Sequence, residues 1–204
     1  MPHRKKISPL LAYMILGMAM RSHAQFGILA GANFSTQTSQ TQSFDAKTLL
    51  PAVYLGVSDY IELSQRFGLL PQLTYSQQGQ STKMGAFHAN YLTLPILAAY
   101  HFGRKLEVLL GPEPAYLLTV WETSARFDTA QFFRPFTLAF DLGIRYKVLR
   151  QGGFEVKVVK GLMGIDRNAP IESTTGPGGG ITNVPDSRNP RMLLFRAGFF
   201  YEFE

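Results

Sequence analysis

Between residues 136 and 148 the chain alternates without a break. Phe136, Leu138, Phe140, Leu142, Ile144, Tyr146 and Val148 fall on one side of an extended strand. Thr137, Ala139, Asp141, Gly143, Arg145 and Lys147 fall on the other. Side chains of a strand alternate with period two, so one face is wholly apolar and the other carries charge of both signs. A soluble sandwich would bury the apolar face in a core. A membrane β-barrel would turn it toward lipid and keep the charges inside. Eight stretches carry this rhythm: 26–36, 52–63, 67–77, 89–102, 105–121, 136–148, 154–164 and 192–203. No helical period competes with it beyond residue 24.

The first residues choose between the two readings. Arg4, Lys5 and Lys6 precede an apolar run at 7–20, followed by Ser22-His23-Ala24. Basic, apolar and small-residue segments in this order read as a secretory signal peptide cut before Gln25. The run of about 14 residues is short of the roughly 20 that a spanning helix needs. The expected division is a signal peptide at 1–24 and one β-barrel domain at 25–204. The full chain has 20 basic and 14 acidic residues. Arg4, Lys5, Lys6 and Arg21 leave with the signal, so 16 bases face 14 acids and the net charge falls to +2. Nucleic-acid binding would want a clustered basic face, which this balance does not suggest. With no cysteine, disulfides, thiolate metal sites and lipid attachment at cysteine are all excluded. Hydrophobic residues make up 46% of the chain, while its mean hydropathy is zero. Alternation hides the hydrophobicity of a barrel from such averages.

The gaps between the stretches also alternate. Those at 64–66, 103–104 and 150–153 are turn-sized; those at 37–51, 78–88, 122–133 and 165–191 are long. Outer-membrane barrels have short periplasmic turns and longer external loops, which places both termini in the periplasm. The last gap contains Gly176-Pro177-Gly178-Gly179-Gly180, a composition that resists packing and suits an external loop. The expected fold is all-β: an eight-stranded antiparallel up-and-down transmembrane β-barrel.

Strict parity turns Glu62, Glu107, Glu113, Asp141, Arg145, Lys147, Glu155, Lys157, Arg196 and Glu202 inward. Eight strands leave an interior just wide enough for side chains to fill. Buried charges must be paired, so Glu107, Glu113, Asp141, Arg145, Lys147, Glu155, Lys157 and Arg196 are expected to form a structural ion-pair network. The alternative is a conducting or gated path. No spacing marks out a catalytic carboxylate pair. Tyr54, Tyr60, Tyr75, Tyr91, Tyr100, Tyr116, Trp121, Tyr146 and Tyr201 lie mainly toward strand ends or on the outer face. That is the pattern of an interfacial girdle rather than a sugar-binding platform. His88 and His101 are separated by roughly 40 Å of extended chain and cannot share a metal. A serine–histidine hydrolase would need a serine facing one of them. No phosphate-binding loop or zinc spacing appears. Pro95, Pro112 and Pro114 fall inside expected strands, where a closed barrel has no edge to hide them, so bulges or strand ends are expected. Asp59 and Lys160 fall on the lipid face by parity, tolerable near the rim.

The chain resembles the PorT-like outer-membrane β-barrel family. The resemblance rests on GILAGANFS (27–35), LLPQLTYSQQG (69–79), YLTLPILAAYHF (91–102), LLGPEPAYLL (109–118) and FDLGIRYKV (140–148), and on the aromatic-rich ending LFRAGFFYEF. The order of these segments is more specific than any one of them. The resemblance implies a fold and a location in the outer membrane, and carries over no catalytic residue. Together these readings describe a small, non-enzymatic envelope barrel with a structural or interaction role exercised through its external loops. Its expected partners are outer-membrane lipid and envelope or secretion-system proteins, with no nucleic acid and no cofactor. Three other roles compete: a transport- or secretion-associated barrel, a barrel-embedded lipid-modifying enzyme, and a soluble lipocalin-like binder.

Overall fold

The computed structural model describes residues 25–38, 49–82, 85–122, 133–164, 172–175, 181–184 and 191–203. The expected signal peptide lies outside them. The strands are β1 (Gln25–Thr38), β2 (Leu50–Glu62), β3 (Phe67–Thr82), β4 (Gly85–Thr93), β5 (Ile96–Phe102), β6 (Leu106–Glu122), β7 (Phe136–Lys147), β8 (Gly152–Gly161), β9 (Glu172–Thr175), β10 (Ile181–Val184) and β11 (Arg191–Glu202). Each barrel strand pairs antiparallel with its neighbours in sequence, and β1 pairs with β11. β4 and β5 are two halves of one barrel strand, both flanked by β3 and β6. The result is a closed, eight-stranded antiparallel barrel. β9 and β10 form a separate two-stranded ribbon within the last external connection.

Burial along the strands is the inverse of a soluble protein. Leu142 is 55% exposed and Phe199 63%, whereas Asp141 and Arg145 are wholly buried. Such a surface is stable only where its surroundings are themselves apolar. The three short connections stand at the end that also holds Gln25 and Phe203, the first and last described residues. In the first, the Leu63 and Ser64 amides donate to Phe67 O, and the Phe67 amide donates to Ser64 Oγ at 3.1 Å. In the second, Gly103 has φ +72°, a backbone conformation costly for a side-chain-bearing residue. In the third, the Val148 and Leu149 amides donate to Gly152 O.

The prolines find a shared solution. The β4/β5 strand breaks at Leu94-Pro95, between the pairs Thr93↔Ala115 and Ala98↔Leu110. Residues 94–97 therefore face 111–114 of β6. Leu94 N donates to Pro114 O at 2.9 Å, so Pro114 points its backbone groups at the break. On an antiparallel strand a residue's N and O point to the same side, and Pro112, two positions away, points the same way. The missing donors of Pro112 and Pro114 thus face the interruption itself. Pro95 O, meanwhile, accepts from Gln72 N at 2.9 Å. Only Pro95 occupies the kind of strand end expected of it; Pro112 and Pro114 sit mid-strand in register with Phe140 and Leu138. The register shift of this wall lies elsewhere, at Asn90/Tyr91.

Two expected connections prove to be more ordered than composition suggests. The gap at 78–88 is largely ladder: β3 runs to Thr82, β4 starts at Gly85, and the two residues pair. The stretch Gln77-Gln78-Gly79-Gln80 has no apolar alternation because strands rising above the bilayer need no apolar face, while their backbone ladder continues. The 165–191 connection contains β9 and β10; its residues 176–180 lie outside those described. Glu62 is a further correction. It shares the inward parity of Ser58 and Tyr60 but, as the last residue of β2, is exposed at the rim and takes no part in the buried network.

A Cβ at Gly111 would lie 2.1 Å from Ile96 O and 3.0 Å from Leu97 Cα, both backbone, at the broken wall. A Cβ at Gly103 would meet nothing within 4 Å. Gly111→Ala should therefore abolish or strongly weaken the folded barrel, seen as loss of the mobility difference between unheated and boiled protein on a detergent gel. Gly103→Ala should keep that difference and cost about 1 kcal/mol in urea unfolding, the price of its positive φ.

Candidate functional site: the lumen

The barrel interior is filled by side chains from all eight walls. Nearest the periplasmic end, Lys147 Nζ lies 2.9 Å from Glu202 Oε2 and 3.2 Å from Glu107 Oε1. Arg145 joins this group to the next: its NH1 donates to Glu202 Oε1 at 3.1 Å and its NH2 to Glu155 Oε2 at 2.8 Å. The guanidinium also stacks over Phe200, 4.0 Å from the ring centroid. Cross-strand register creates this arrangement, because Glu107, Arg145 and Glu155 are direct neighbours on three adjacent strands. Oppositely charged residues placed across a ladder attract, and here they do so away from water.

One level higher, Lys157 Nζ reaches Glu155 Oε1 at 3.1 Å, Asp141 Oδ2 at 3.4 Å and Gln72 Oε1 at 2.8 Å. Gln72 Nε2 donates back to Glu155 at 3.2 Å. Above this, Arg196 grips Glu113 with two nitrogens, at 2.9 and 3.3 Å. Its Nε donates to Asn33 Oδ1 at 3.0 Å, and its plane lies over Tyr54. Asn33 and Ser35 of β1 reach past β2 to β3: Asn33 Nδ2 donates to Gln77 O at 2.8 Å, and Ser35 Oγ bonds both the amide and the carbonyl of Gly79. They satisfy β3 backbone beyond Tyr54↔Ser76, the outermost pair of the β2–β3 ladder.

Above the ionic layers the filling turns apolar. Ala89, Tyr91, Ala115 and Leu117 form one cluster and Val159, Met192 and Leu194 another, with Phe133 packed against both. Between Glu113 and these clusters is a cavity of about 20 Å³. That is room for about one water molecule.

All eight sequence-predicted network residues project into this interior. Glu107, Glu113, Asp141, Arg145, Glu155, Lys157 and Arg196 are buried and Lys147 is half-buried. Glu202 joins them. Tyr54, Tyr60 and Tyr91 depart from the expected girdle: they also point inward and are buried. The signal was available in β2: with Val53, Leu55 and Val57 facing out, Tyr54, Ser58 and Tyr60 must face in. On the outside, Phe67–Tyr100, Tyr100–Phe102 and Tyr201–Phe203 ring pairs at 4.7–5.2 Å band the periplasmic rim. Asp59 is half-buried beside that rim. Lys160 is exposed on the lipid face, one residue from the outer end of β8, where its charge can reach the headgroups.

His101 does not meet a serine. Its Nε2 is hydrogen-bonded to the Tyr60 hydroxyl, and its Nδ1 lies 3.5 Å from Glu107 Oε1. His88 pairs along the backbone with Gly79 and Trp121, toward the outer end of the same wall. Among the described residues no group of acidic and histidine side chains could hold a metal ion.

Residues 19–167 match the family described as outer membrane protein beta-barrel domain. The chain belongs to that family. It is therefore an outer-membrane protein, and its exposed apolar wall is in contact with membrane lipid. Among solved structures, Neisserial surface protein A is similar with a TM-score of 0.54 at 12% identity, over 88% of this chain and 99% of that one. OprG from Pseudomonas aeruginosa gives 0.47 at 15% identity, covering 90% and 98%. Ail, the attachment invasion locus protein of Yersinia pestis, gives 0.48 at 9% identity, covering 90% and 100%. No curated protein sequence matches the chain.

In this outer-membrane barrel, removing Arg145 would take from buried Glu155 and Glu202 the cation they share, leaving Glu155 to Lys157 and Glu202 to Lys147 alone. Arg145→Ala should cost about 3–5 kcal/mol in urea unfolding from phospholipid bilayers. Arg196→Lys should cost less than Arg196→Ala but remain destabilising. A lysine keeps the charge but cannot hold both Glu113 oxygens and Asn33 together.

Proposed function

We propose that this protein is a closed, non-conducting barrel with a structural and interaction role in the cell envelope, exercised on its external side. The observation that carries the reading is the filled lumen. Three ionic levels and an apolar cap occupy the interior from Glu202 to Leu117, and the cavity left beside Glu113 is about 20 Å³. A barrel without a channel acts on its surroundings through the surfaces it displays. The β3–β4 hairpin extends the wall outward to the pair Thr82↔Gly85. β9 and β10 pair only with each other among the described residues, leaving two strand edges open. Open edges accept an extended segment of another chain by backbone hydrogen bonding. This supports an envelope protein as partner, with the 165–191 connection as the contact.

The finer placement follows the resemblance: a PorT-like member, made with a signal peptide at 1–24. In support, Arg4, Lys5 and Lys6, the apolar run at 7–20 and Ser22-His23-Ala24 follow one another in the order of such a signal. Protein isolated from outer membranes should therefore start at Gln25 by amino-terminal sequencing, and a start at Met1 would refute the cleavage.

Two measurements test the role. Reconstituted in planar bilayers, the barrel should show no stepwise conductance; regular open-channel steps would favour a transport role. Deleting 172–184 should abolish co-purification of envelope partners while preserving the gel-mobility difference of a folded barrel. Co-purification unchanged by that deletion would overturn the assignment of this loop.

A further inference from the structure

The lipid-facing wall is not uniform. Where β1, β8 and β11 meet near the periplasmic rim, a groove of about 480 Å³ is cut into it. Its walls are Ala30, Leu149, Phe154, Phe199 and Tyr201, and its floor is the backbone around Gly153. Elsewhere the same band is filled by large side chains such as Phe140, Leu142 and Ile144. Here Ala30 is small, and Gly153 can carry no side chain because a Cβ would lie 1.9 Å from Tyr146 O. The walls are held in place. Phe154 and Phe199 pack ring to ring at 4.7 Å, and the Tyr201 hydroxyl donates to Gln151 Oε1 at 2.7 Å. A volume in the range of about 300–1,000 Å³ with preformed apolar walls is that of a ligand site rather than of ordinary surface roughness.

The surroundings specify the ligand. The groove opens into hydrocarbon, so its occupant must present an apolar chain. At its periplasmic end it runs into the turn 148–151, where Arg150 is exposed. The three short turns carry Arg66, Arg104, Lys105 and Arg150 and no acidic residue. Against exposed Glu62 and half-buried Asp59 at the same rim, these four cations leave it net positive, and a basic rim at headgroup level attracts anionic lipid. We propose that the groove is a binding site for an anionic phospholipid of the periplasmic leaflet. One acyl chain lies along Ala30, Phe154 and Phe199, and the phosphate sits over Arg150. A second copy of the barrel would also bury apolar surface here, but it would bring a second set of basic turns against the first.

The test uses the folded, delipidated barrel in detergent with added dioleoyl phosphatidylglycerol or dioleoyl phosphatidylcholine, read by native mass spectrometry. One phosphatidylglycerol should be retained, and phosphatidylcholine retained less. Ala30→Phe fills the groove from an exposed outer position and should lower phosphatidylglycerol occupancy about tenfold. The same change at exposed Ala98, on the opposite wall, should not. Arg150→Gln should bring phosphatidylglycerol down to the phosphatidylcholine level. Phe199→Trp gives an independent readout, since phosphatidylglycerol with brominated chains should quench its fluorescence and should not do so when Ala30→Phe is added. Retention of no lipid, equal retention by the Ala30→Phe and Ala98→Phe proteins, or a dimer that Ala30→Phe dissociates would each overturn the proposal.

Discussion

Hydrocarbon offers a peptide group nothing to hydrogen-bond, so a sheet that enters a membrane cannot have an edge. Closure of β1 onto β11 meets this requirement, and the rest of the molecule answers to it. A closed sheet has one face toward lipid and one toward itself. The outward positions must then be apolar along the whole membrane depth, as they are from Phe136 to Tyr146 and from Phe195 to Phe203. The inward positions inherit every polar group the chain carries at that depth. Eight strands enclose too little space for those groups to be hydrated, so they must satisfy one another.

The way they do so explains the choice of residue. A buried cation with a single partner barely recovers its desolvation cost. Arg145 and Arg196 each have several: two carboxylates and the Phe200 ring for the first, Glu113, Asn33, Ser76 and the Tyr54 ring for the second. Planar guanidinium groups suit this because they bond at their edges and stack on their faces together. Lys157, a point charge, is surrounded instead by Glu155, Asp141 and the Gln72 carbonyl. The ladder supplies the spacing. Residues directly opposite on neighbouring strands stand within ion-pair reach, and the interior charges follow one another around the wall.

What could be read in advance, and what could not, divides along the same physical line. Where lipid and lumen impose opposite demands, as in β7, β8 and β11, parity assigns each side chain to its face, and the network residues follow from it. Where those demands lapse, so does the signal. Above the bilayer Gln77 to Gln80 have no apolar period, yet their backbone continues the ladder to Thr82. The same reason conceals β9 and β10, whose short polar sequences Glu172-Ser173-Thr174-Thr175 and Ile181-Thr182-Asn183-Val184 could as well be loop. Tyr54 and Tyr60 were misleading for a different cause. Tyrosine is common in interfacial belts, and that residue-type preference masked the positional argument that put both inside. Pairing partners within the lumen, such as Lys157 of β8 with Gln72 of β3 across the barrel, depend on its cross-section and are absent from any one strand.

The prolines show how far wall and filling depend on each other. Pro95, Pro112 and Pro114 gather at the break between β4 and β5, whereas Pro71 of β3 turns its backbone the other way, toward β2, because its neighbour Gln72 donates to Pro95 O. Spread over the sheet, missing donors would leave isolated carbonyls facing hydrocarbon. At the β4/β5 break, those of Pro112 and Pro114 fall where β6 already faces an interrupted partner. Behind this seam the lumen is densely bonded: Gln72 to Pro95 O through its amide and to Lys157 and Glu155 through its side chain, Thr74 to Thr93, and Glu113 to Arg196. The wall is thus least supported by its own ladder where its interior contacts are richest. Loosening the ionic filling would expose the seam, and opening the seam would let water reach charges that are stable only while they are dry. A barrel organised in this way must form its interior and its closure together, so the charges read from one face of each strand are part of what allows the other face to meet lipid.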